Sequence, residues 1–123
     1  MESTGITNVH DRLRSWARGT LSDEAGVELL IRGYGGRFAR LTQPWIRTHS
    51  GSDTAVVFWR HIPEYIGGLS GGESRYLMLT ASLADGLEVR LDGTFPRLDY
   101  AEQDLVLSAL RHAGGRRVWP MVA

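Results

Sequence analysis

Leu69-Ser70-Gly71-Gly72-Glu73, and the chain from there to Gly114, decides how this sequence folds. Ser70 followed three residues later by Glu73 has the form of a capping box, in which each side chain satisfies the other residue's backbone N–H. A helix is predicted from Gly71 to Ala84, carrying Tyr76, Leu77, Met78, Leu79, Ala81, Leu83 and Ala84 over more than one face, and ending at Asp85-Gly86. Such breadth implies burial on several sides. Leu87-Glu88-Val89-Arg90-Leu91 alternates apolar and charged residues, the period of a half-buried strand. Asp92-Gly93-Thr94-Phe95-Pro96 is turn chemistry, and Asp99 with Glu102 opens a second helix, Tyr100 to Ala113. Leu105, Val106, Ala109, Leu110 and Ala113 are its expected inner face, and Gly114-Gly115 closes it.

Leu69-Ser70-Gly71-Gly72-Glu73 resembles the signature motif of ABC-type and chromosome-maintenance (SMC-type) ATPases. The likeness runs on to Asp99: Asp92 falls where the Walker B aspartate would stand, and Leu98-Asp99 resembles the D-loop. The resemblance implies a nucleotide or phosphate ligand at Ser70, Gly71, Gly72 and Glu73, completed by a partner. Gly93, however, stands in place of the catalytic glutamate. There is no G-x-x-x-x-G-K-[ST] loop, and the chain contains no lysine. An independent ATPase is excluded.

The 123 residues suit one compact domain over 9–123, with residues 1–8 as a flexible N-terminus. Apolar residues at 42% and charged residues at 23% describe a folded chain, and no apolar run approaches membrane-spanning length. Without a basic region and apolar core near Met1, the expected location is cytoplasmic. Fourteen arginines balance fourteen acidic residues, so charge gives no general case for nucleic acid. That function would need Arg12, Arg14, Arg18, Arg32, Arg37 and Arg40 to converge on one face. Absence of cysteine removes disulfides and thiol catalysis.

Upstream, Val9, Leu13, Trp16 and Ala17 mark a short amphipathic helix with arginines on its outer side, ended by Gly19-Thr20. Ser22 is the expected cap of a further helix, Asp23 to Gly33. Its stripe, Val27, Leu30, Ile31, Tyr34 and Phe38, is interrupted by Gly33, Gly35 and Gly36. Pro44 to Thr48 and Thr54 to Trp59 read as a β-hairpin across Ser50-Gly51-Ser52-Asp53. Arg116 to Val122 is too apolar for a free tail and is expected to dock as an edge strand or on a second copy. The fold class is therefore α+β, mostly helical, with a hairpin at about 45–59 and room for one or two further short strands.

Gly68-Leu69-Ser70-Gly71-Gly72 also satisfies the nucleophile-elbow pattern, with Asp92 or Asp99 and then His112 in α/β-hydrolase order. The pattern lacks the buried strand that must precede it, and helix capping accounts for Ser70 with fewer assumptions. His10, His49, His61 and His112 show no metal-ligand spacing, so no metal and no cofactor is expected. With no catalytic set, the reading is a small non-catalytic interaction module that binds a protein or itself. Trp45, Trp59 and Trp119 are its expected contact residues, in core packing or on an exposed face.

Overall fold

A computed structural model describes residues 8–48 and 51–120. The elements run α1 (Val9–Ala17), α2 (Leu21–Arg32), β1 (Ile46–Thr48), β2 (Ala55–Val57), α3 (Gly71–Asp85) and α4 (Tyr100–Ala113). Short 3-10 segments lie at Gly33–Ala39, Trp59–Glu64, Leu91–Gly93 and Phe95–Arg97. The α+β class and the hairpin are as expected, with Ile46 opposite Val57 in antiparallel register. The expectations for Met1 to Thr7, His49, Ser50, Met121 and Val122 lie outside the described residues. Asn8 belongs to the first helix, because its side chain accepts from the Asp11 N–H at the helix start.

The second helix is the central element, packed by α1, α3 and α4. Its apolar residues divide between two cores. Val27 and Leu30 meet α1, the hairpin and one side of α3, whereas Ala25 and Leu29 meet Tyr76, Leu79 and the inner face of α4. Gly26 permits this crowding, since a Cβ there would lie 2.8 Å from both Ala84 and the Trp59 ring. Gly33 is tighter still: its Cβ would come within 2.4 Å of the Tyr76 hydroxyl, which donates to the Leu29 carbonyl at 2.7 Å. Thr20, not Ser22, occupies the cap position, and no side-chain bond caps the helix. Glu24 instead accepts from the Gly19 N–H at 2.8 Å.

Helix α2 ends at Arg32, and Tyr34, Gly35 and Gly36 then adopt consecutive left-handed backbone conformations. Tyr34 is held at φ +52° although it is not glycine, its ring edge-on to Phe38 and Tyr76 at 5.5 and 5.3 Å. The turn returns Phe38 to the same core that Val27 and Leu30 enter.

Two strand expectations are corrected. Leu87 and Val89 are half-buried and Glu88 and Arg90 exposed, as the alternation implies, but Leu91 is exposed too, and the segment has no strand partner among the described residues. Alternation records which side chains face inward, whereas a strand also needs a neighbouring edge to share hydrogen bonds. Here Val89 packs into the core between α3 and α4. Arg116 to Pro120 likewise docks without joining a sheet, held through Trp119. Among the described residues no helix is long and apolar enough to cross a membrane.

Candidate functional site

The capping box at Ser70 is complete. Ser70 accepts from the Glu73 N–H at 3.2 Å, and Glu73 accepts from the Ser70 N–H at 3.0 Å. The second Glu73 oxygen forms an ion pair with Arg37. The positive end of α3 is thus already occupied by the chain's own carboxylate, which an incoming phosphate would have to displace. Asp92 lies in the exposed Leu91–Gly93 turn, paired with Arg90 at 3.2 Å. Ser70 is engaged as a cap and is not poised as a nucleophile.

The tryptophans separate into two kinds. Trp45 is 2% exposed and donates to the Phe38 carbonyl, and Trp59 is 4% exposed and donates to Asp23. Both therefore serve the core, and neither ring can reach a partner while the fold is intact. Trp119 is half-buried. Its indole N–H donates to Nδ1 of His112 at 2.9 Å, and its ring lies under the Arg32 guanidinium at 4.7 Å.

That contact adjoins a cleft of about 280 Å³ between α1, α2 and the end of α4, lined by His112 together with Arg14, Glu24, Glu28 and Arg117. An indole can only donate, so His112 carries its proton on Nε2 and donates it to Glu24 at 2.8 Å. Glu24 is held down to about 2, first by His112, then by the Gly19 N–H and by Arg117 against the opposing effect of burial. Burial pushes the neighbouring Glu28 upward, but hydrogen bonds from Arg14 and Arg32 outweigh it and leave it below the ordinary carboxylate range. Glu–His proximity resembles an acid–base pair, yet both ring nitrogens are committed and both carboxylates are neutralised by arginine. The arrangement is a clasp that fastens Trp119 and Arg117 to α2.

The same bonds answer the convergence question for the arginines. Arg12 donates to the Ser52 and Thr54 carbonyls, Arg14 and Arg32 to Glu28, and Arg37 pairs with Glu73. These four turn to acceptors of their own chain and build no common phosphate-binding face. The expected outward-facing arginines of α1 are corrected for Arg12, which is half-buried against the Ser52 and Thr54 carbonyls, whereas Arg14 is exposed as expected while paired with Glu28. Among the described residues, no group of three His, Asp or Glu side chains could hold a metal ion.

What sequence reasoning missed is an apolar groove of about 560 Å³ between α3, α4 and the 87–97 segment. Leu79, Leu83, Val89, Phe95 and Val106 line it. Its rim exposes Leu91 by 63%, Leu107 by 42% and Leu110 by 52%. Leu110 had been expected on the inner face of α4, but Val106 and Ala109 fill that face and Leu110 turns outward. The available signal was a surplus: α4 carries Leu105, Val106, Leu107, Ala109 and Leu110, more apolar residues than one buried stripe can use. No protein-family model, curated protein or solved structure matches the chain.

Proposed function

We propose that this chain is a small non-catalytic interaction module that binds a second copy of itself, through the groove between α3 and α4. The observation that carries the reading is the rim of Leu91, Leu107 and Leu110, three large apolar side chains exposed around one concavity. Exposed leucines scattered singly are ordinary, but leucines gathered around an apolar depression leave a surface whose burial is favourable. The formal net charge of zero adds no general repulsion between copies.

The contact region moves accordingly from the tryptophans named by sequence to the leucines of α4. Only Trp119, beside the far flank of α4 with Leu107 and Arg111, adjoins it. Amide NMR spectra over a concentration series test the proposal. Shifts concentrated at Leu91, Leu107 and Leu110 are expected. A spectrum unchanged from micromolar to millimolar protein, or changes centred on Phe58 and Tyr65, would overturn it.

A further inference from the structure

Helix α4 and its cap residue present a stripe in heptad spacing. Exposed Tyr100, Leu107 and Gly114 occupy one seam position; exposed Leu110 occupies the other with half-buried Gln103, whose amide donates to the Phe95 and Leu98 carbonyls. Asp104 and Arg111 both fall on the flank immediately after the second seam position. Both are exposed, and neither forms an ion pair among the described residues.

In an antiparallel helix pair this flank faces the same flank of the partner, because the two-fold axis reverses helix direction without exchanging the sides of the seam. Asp104 of each copy then meets Arg111 of the other. A parallel pair would instead set this flank against the opposite one, where Val106 is buried and Ala113 half-buried. The charge pattern is therefore self-complementary in one orientation only. The relief agrees with it: Leu107 is a ridge between the apolar groove on one side and, on the other, a shallow groove against Val118, Trp119 and Pro120.

Resting on the interaction-module reading, we infer that two copies associate through α4 packed antiparallel about a two-fold axis near Ser108. Leu107 of each copy packs on Leu110 of the other, and two Asp104–Arg111 ion pairs set the direction. The occupant of the groove rim is thus the α4 of a second copy. Fourteen residues give a helix of about 21 Å, a contact in the small, transient class of interfaces, so the dimer forms at high protein concentration.

Sedimentation velocity on the full chain, from micromolar to millimolar, tests this with Asp104→Arg, Arg111→Asp and the double exchange. Circular dichroism confirms that each variant is folded. Each single reversal sets like charges against each other and is expected to weaken association by roughly tenfold or more, while the double exchange restores it. Association of the wild type that ignores both single reversals would overturn the α4 pairing and leave self-association standing. A wild type monomeric at millimolar concentration would overturn both. A dimer that appears only after removal of Met121 to Ala123 would assign the rim to the chain's own tail, and would also overturn the pairing.

Discussion

The hairpin side and the α4 side of this molecule both carry large apolar residues and treat them oppositely. On the hairpin side, Trp45, Trp59 and Phe38 are buried, and each indole N–H has found an acceptor. On the α4 side, Val106 and Ala109 are buried while Leu107 and Leu110 are left in solvent. Aromatic content is therefore a poor guide to a contact surface. A tryptophan whose N–H is satisfied indoors contributes its whole ring to the core, whereas a leucine on a helix with too many apolar residues is left outside.

The largest effects of substitution are expected on the hairpin side. Trp45→Ala removes a buried ring and strands the Phe38 carbonyl, and is expected to cost about 3–5 kcal/mol in chemical denaturation. A loss near zero would mean that the hairpin side is not the closed core described. Gly33→Ala comes next, at about 2–3 kcal/mol, because the new methyl group must push the Tyr76 hydroxyl off the Leu29 carbonyl. Pairing it with Tyr76→Phe sharpens the result: much of the penalty should vanish when the hydroxyl is absent.

The clasp between the two sides responds to acid. Glu24 is held at about 2 against an ordinary value of 4.5, so as pH falls the unfolded chain takes up this proton before the folded chain does. Its stabilisation is fully present above about 4.5 and is lost as pH falls from there toward about 2. Glu28, lowered in the same direction, adds to the trend. Urea midpoints recorded against pH should decline over that window in the wild type and decline less in Glu24→Gln. Equal slopes would remove Glu24 from the account.

The smallest stability effect belongs to the open side. Leu107→Ser should shift unfolding by no more than about 0.5 kcal/mol while abolishing concentration-dependent association. A loss of several times that size would show Leu107 to be part of the core.

Much of the architecture was legible because its signals are local. Ser70 and Glu73 cap a helix from within four residues, Gly86 ends it in a left-handed conformation, and the β-branched and aromatic runs on either side of Gly51 pair as a hairpin. Leu87 to Leu91 misled for the same reason: alternation specifies inward and outward faces, and only the surrounding helices determined that no second strand lay alongside. The candidate surface was the least legible part. Periodicity places Leu107 and Leu110 on sides of α4, but which side is covered depends on where α2 and α3 lie.

By itself, then, the sequence determined the helix boundaries near Ser70, Gly86 and Gly114, the hairpin, the lack of thiol chemistry and the lack of a phosphate-binding lysine. Tertiary structure alone decided that Trp45 and Trp59 lie inside, that His112 is spent between Glu24 and Trp119, and that the leucines of α4 face solvent. Capping and turn preferences act over a few residues and are written in their order. Burial and hydrogen-bond partnership join positions as distant as Glu24 and His112, and exist only once the helices have packed.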